Sequence, residues 1–174
     1  MDREQIRRLV DDFSDNSPTN YLRARAPDGD TAALGDNNFA RNNVYGGEEA
    51  RRLLGVEPGS KYENMRFYQK PIFSIGRADD PAFEKLKDSE AVGAHHMSPE
   101  EWMPGAKTVI SFFVPFERAT VEANKLDPEE PAIEWLFTRV DGQQHLLALG
   151  AAVRDAFIAS GYNAVTPYTE DKYV

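Results

Sequence analysis

The chain contains no cysteine. That excludes disulfides, thiol catalysis, zinc–thiolate sites and cysteine-ligated iron–sulfur clusters from anything these residues do alone. It has no run of about eighteen apolar residues, so no membrane span is expected. It carries neither a G-x-G-x-x-G fingerprint nor a P-loop, so no phosphate cradle can be named, although scattered contacts to a flavin or another cofactor stay open. Positive charge is scarce. Lys and Arg number 20 against 29 Asp and Glu, a formal net charge of -9. A surface of this sign has no overall footprint for nucleic acid, and only a local basic groove stays open. The N-terminus, MDREQIRRLVDDF, is charged and amphipathic and holds no signal-peptide core, so the simplest location is the cytoplasm.

What is present suffices for a folded domain: 174 residues, of which 41% are hydrophobic. The expected organisation is one domain over 1–174, with an N-terminal helix and extended arm over 1–45 and an α/β core over 46–174. Ile6, Leu9, Val10 and Phe13 fall on one face of a helix over Asp2–Phe13. Ser14 to Tyr45 is punctuated by turn residues and reads as an arm packed over the surface or a functional loop. Glu48–Leu54 reads as a brief helix, ended by Gly55 and the Pro58-Gly59 turn.

The organising stretch is His95–Phe116. Ser98, Pro99 and Glu101 have the spacing of a helix start with a capping box. Pro104-Gly105 breaks that helix. The β-branched and aromatic run Thr108–Val114 reads as a central strand buried on both faces. Arg66–Gly76 is a second strand, with Pro71 marking a start or an edge. Asp80 and Pro81 open a helix over Ala82–Leu86. Ile133–Ser160 is the longest helical region, divided at Gly142 and capped by Gly161. Tyr162–Thr166 reads as a third strand. The fold class is therefore α/β or α+β, a mixed sheet flanked by helices. The sheet has few strands for its chain length, which predicts an incomplete domain or one completed by a partner.

Three groups of residues could carry chemistry. His95 and His96 are adjacent and point apart. They suit a structural or phosphate-facing role better than a shared metal, because no H-x-H or H-E-x-x-H spacing is present. Arg139, Asp141 and His145 cluster at the Gly142 break. Asp141 and His145 share a face if the helix continues. They read either as a proton donor tuned by its neighbours or as a cap and a solvated ion pair. Phe67, Tyr68, Phe73, Phe112, Phe113 and Phe116 flank the two strands and read as core or as a platform for a flat cofactor.

The segments PIFSIGRADDPAFEKL, GAHHMSPEEWMPGAKTVISFFVPF, EWLFTRVDGQQHLLAL and GYNAVTP resemble the N-terminal part of epoxyqueuosine reductase-like proteins, relatives of reductive dehalogenases. The most telling piece is Pro104-Gly-Ala-Lys-Thr-Val-Ile110. The likeness covers about residues 65 to 168. It implies a nitroreductase-like, corrinoid-binding α/β domain followed by a ferredoxin-like domain whose cysteines hold [4Fe–4S] clusters. It further implies cobalamin as cofactor, a small-molecule or modified-nucleoside substrate, and a proton-donating aspartate. Asp141 is the best match to that acid, although its spacing to His145 is longer than in the family's "GRDYH" pattern. His95, His96, Arg139 and Tyr68 are assigned to cofactor contact, and no residue to a metal. On this reading the chain is a fragment without its iron–sulfur part. The alternative is a stand-alone ligand-binding module, or a homodimer that completes the sheet, with no redox activity.

Overall fold

The computed structural model describes residues 1–24 and 55–169. The expected Glu48–Leu54 helix and most of the Ser14–Tyr45 arm lie outside the described residues. The chain divides into two compact units. One comprises Asp2–Pro71 and Val114–Gly150; the other comprises Met1, Ile72–Phe113 and Ala151–Val174. The described residues form helices and one two-stranded antiparallel sheet, a mixed α/β composition. No helix among them is long and apolar enough to cross a membrane.

The first unit opens with α1, Arg3–Asn16. Asp2 and Gln5 cap it reciprocally: each side chain accepts the other's backbone N–H at 2.8 Å. Its buried face carries Ile6, Val10 and Ser14, one residue per turn. The Arg7 guanidinium donates to the Pro71 carbonyl at 2.8 Å. A 3-10 turn, Pro18–Asn20, follows directly. The core of this unit is Leu22, Val56, Phe67, Tyr68 and Phe137, with Met65, Val114, Phe116 and Leu146 packed against it.

Phe67 lies in an extended segment bonded on both sides. Its N–H donates to Asn20 O at 3.0 Å and its carbonyl accepts from Glu117 N at 2.9 Å. Bridges join Tyr21 to Arg66 and Tyr68 to Phe116. The expected Arg66–Gly76 strand is thus two separate pieces. Pro71, which has no N–H to donate, lies where one ends and the next begins.

In the second unit β1, Ile72–Arg77, pairs antiparallel with β2, Thr108–Phe113, in the register Ile72↔Phe113 to Arg77↔Thr108. Between them in sequence lie two one-turn helices, α2 (Ala82–Lys85) and α3 (Pro99–Trp102). The Asp80 carboxylate accepts from Ala82 N at 2.9 Å. The Glu101 carboxylate accepts from Ser98 N at 2.7 Å, as its spacing predicts. Gly105 takes φ +80, which only glycine adopts freely, and its N–H donates to the Glu100 carboxylate at 3.0 Å.

Two strand expectations are corrected. No residue of β2 is fully buried, and Phe113 is 65% exposed, so β2 is not a central strand covered on both faces. A two-stranded sheet has too little around it to cover both faces. Tyr162–Thr166 is irregular chain leading into a 3-10 turn, Pro167–Thr169. Its β-branched residues signal only a surface that suits a sheet, and tertiary context decides the rest.

After β2, a helix not anticipated from sequence, α4, spans Arg118–Ala123. The long helical region is divided as expected into α5 (Ile133–Val140) and α6 (Gln143–Ala159). Gly161 closes α6 at φ +85, the left-handed conformation of a helix C-cap.

Candidate functional site

The most unusual group in the first unit is His145, in the opening turn of α6. The break before it is made by Asp141 and Gly142, whose N–H groups both reach back to Phe137 O, at 2.8 and 3.3 Å. Gly142 is required there. A Cβ on it would stand 2.8 Å from Tyr68 Cε2 and would also collide with the Thr138 carbonyl. The close approach brings the Tyr68 ring over the start of α6.

His145 is fully buried. Its imidazole stacks with Tyr68 (centroids 5.9 Å, planes 21° apart) and with Phe13 of α1 (5.5 Å, 26°). Nδ1 lies 3.1 Å from Thr19 Oγ1, and Thr19 Oγ1 lies 2.7 Å from Ser17 Oγ. Nε2 is buried and has no hydrogen-bond partner among the described residues. Burial, aided by the field of Arg66, pushes the imidazole pKa down to about 4. The ring is therefore neutral at pH 7. Beside it, Asn20 uses its whole amide. Nδ2 donates to Ser14 O at 2.9 Å and Tyr68 O at 3.1 Å, and Oδ1 accepts from Tyr68 N at 3.0 Å.

The residues singled out from sequence divide between the units. Tyr68, Arg139 and Asp141 belong to the first, His95 and His96 to the second. Tyr68 is a core residue whose hydroxyl donates to Thr138 O at 3.3 Å. Burial pushes its phenol well above the ordinary range, opposed by the positive charge of Arg139. Asp141 is buried and ends α5; α5 does not run on into α6, so Asp141 and His145 are not successive turns of one helix. His95 is exposed and its ring lies against Gly93. His96 donates its N–H to Gly93 O at 3.0 Å, and its Nε2 is buried without a partner. Among the described residues, no three His, Asp or Glu side chains are grouped to hold a metal ion. Sequence reasoning missed Thr19, and nothing local to it announces a contact with a residue 126 positions away.

The second unit offers a different feature. On one face of the sheet lie Ile72, Ser74 and Gly76 opposite Phe113, Ser111 and Val109. None of these is charged, and all but Val109 are exposed. This face mixes apolar and small polar residues, and His95 and His96 lie in the same unit. Tyr68 presents no accessible face to a cofactor, because its ring and hydroxyl are both used in the core.

Comparison with protein-family models, with curated proteins and with solved structures finds no match to this chain.

Proposed function

We propose that this chain is the cofactor-binding, N-terminal portion of a corrinoid- and iron–sulfur-dependent reductase of the epoxyqueuosine reductase-like type. The observation that carries the reading is the Pro104–Ile110 segment together with the strand it enters. Pro104-Gly105 turns the chain, and β2 then presents Val109, Ser111 and Phe113 on an uncharged, mostly exposed sheet face. A bound corrinoid supplies the low-valent cobalt that accepts and passes electrons. This chain's own residues supply floor and rim: the sheet face as floor, with His95 and His96 meeting amide or phosphate groups. This floor and rim are drawn from the second unit alone; Arg139 and Asp141 belong to the first.

The experiment is titration with hydroxocobalamin, followed by visible absorbance and by calorimetry. Saturable binding that falls on Ser111→Arg, which puts a long cation on the floor, supports the reading. Binding by neither this chain nor a longer one that includes the iron–sulfur part overturns the proposal. The second reading, a homodimer without redox activity, is favoured by the exposure of the cross-strand pair Ile72 (59%) and Phe113 (65%). Sedimentation decides it: a strict monomer at all concentrations removes that reading.

A further inference from the structure

His145 is a titratable side chain placed where its charged form has nothing to bind. It is fully buried, two aromatic rings stack with it, Nδ1 already meets Thr19, and Nε2 has no partner among the described residues. A protonated imidazole donates from both nitrogens, so charging it in place leaves a buried N–H unsatisfied and a buried charge uncompensated. Among the described residues, the surrounding charges offer no relief. Arg66 repels a second positive charge on the ring, and Arg139 acts on the Tyr68 stacked against it. The carboxylates Asp15 (3.0 Å) and Glu117 (3.4 Å) are engaged by Arg66, and Asp15 is held also by Lys70 at 2.9 Å. On α1, Asp11 pairs with Arg7 at 3.5 Å. Tyr68 directs its hydroxyl to Thr138 O. Asp141, four positions before His145, sits at the end of α5. The imidazole makes no ion pair among the described residues.

Two of the three side chains that hold the imidazole, Phe13 and Thr19, come from α1 and the turn after it. We infer that His145 is an acid-operated latch: protonation drives the imidazole out of its niche and frees α1 and the Pro18–Asn20 turn from the core of their unit.

The direction follows from linkage. The unfolded or opened histidine binds a proton near pH 6.5 and the closed one only near 4. Closure is fully favoured above 6.5 and weakens as pH falls from 6.5 to about 4, by up to about tenfold per unit. The ion pairs of Asp15 outlast this window. The hydrogen bond from Lys70 and that from Arg66 hold the Asp15 carboxyl below its usual 3.8. Loss of carboxylate pairs is therefore a separate event at lower pH.

The test is hydrogen exchange of the full chain between pH 7.5 and 4.5, corrected for intrinsic rates and read by mass spectrometry. In the wild type, protection of α1 peptides is expected to fall about 100-fold across the window, while β1 and β2 peptides keep theirs. In His145→Phe, which keeps a stacked ring and cannot titrate, α1 protection is expected to stay level. A wild-type α1 that holds its protection to pH 4.5, or a variant that loses it equally, overturns the latch. If the variant fails to fold, proton NMR of the wild-type imidazole decides. Titration together with the α1 amides supports the latch, and titration that leaves those amides unmoved overturns it.

Discussion

Tyr68 Cε2 would stand 2.8 Å from a Cβ on Gly142. Gly142→Ala therefore has to displace a core ring or the backbone carbonyl of Thr138, and neither is a flexible tip. It is expected to cost about 3 kcal/mol, the upper end for overpacking. Gly76→Ala is the control. A Cβ there meets nothing within 4 Å, so the variant is expected within about 1 kcal/mol of wild type. Urea unfolding of the two variants measures the difference.

Asn20→Ala removes both donors to Ser14 O and Tyr68 O and the acceptor for Tyr68 N. Two buried backbone groups, Ser14 O and Tyr68 N, lose their partner at once, while Tyr68 O keeps the Arg66 Nε–H at 2.9 Å. At about 1–3 kcal/mol for each stranded group, softened by water entry, the expected loss is about 3 kcal/mol. Thermal melts of wild type and variant check it, and a shift too small to resolve would contradict the burial of this amide.

Phe73 and Phe113, on opposite faces of the β1–β2 pair, separate a packed face from an open one. Phe73 is 2% exposed and its ring lies 6.0 Å from Phe112. Phe113 is 65% exposed. Phe73→Ala is expected to cost about 3–5 kcal/mol, Phe113→Ser less than about 1 kcal/mol. Equal costs in chemical denaturation would mean that the face carrying Phe113 is covered.

Glu101 sets an acid limb of its own. A hydrogen bond from Lys87, and then the Ser98 N–H, hold its carboxyl down to about 2, against an ordinary 4.5. Its contribution is present above 4.5 and disappears as pH falls from there toward 2. Glu101→Gln is expected to flatten the melting-temperature profile below pH 4.5 and to leave the window between 6.5 and 4.5 unchanged. A variant whose profile keeps the wild-type slope below pH 4.5 would refute this.

Much of the local structure was legible in the chain. The period of Ile6, Val10 and Phe13 located α1, the Ser98-Pro99-Glu101 spacing located α3, and Gly142 and Gly161 marked the break before α6 and its end. These signals act within a few residues. What escaped depends on distance in sequence. The burial of β2 depends on what lies against it, and a run such as Thr-Val-Ile-Ser-Phe-Phe reads the same whether covered or open. The Arg139, Asp141 and His145 cluster is visible in the sequence, but Asp141 and His145 share a helix face only if the helix runs through Gly142, and it does not. The actual partners of His145, namely Phe13, Thr19 and Tyr68, come from the opposite end of the chain.

The two units are interleaved along the polypeptide, which passes between them after Pro71, after Phe113 and after Gly150. Neither can be cut out as one continuous piece: ending the chain after Pro71 or after Phe113 removes part of both, and ending it after Gly150 removes part of the second alone. The order of synthesis matters in the same way. Thr19 and its partner His145 are 126 positions apart. At about 5–20 residues per second, the ribosome delays their meeting by roughly ten seconds. During that interval Phe13 lacks the imidazole it stacks with, and the nascent chain carries an amphipathic helix with part of its apolar stripe in water.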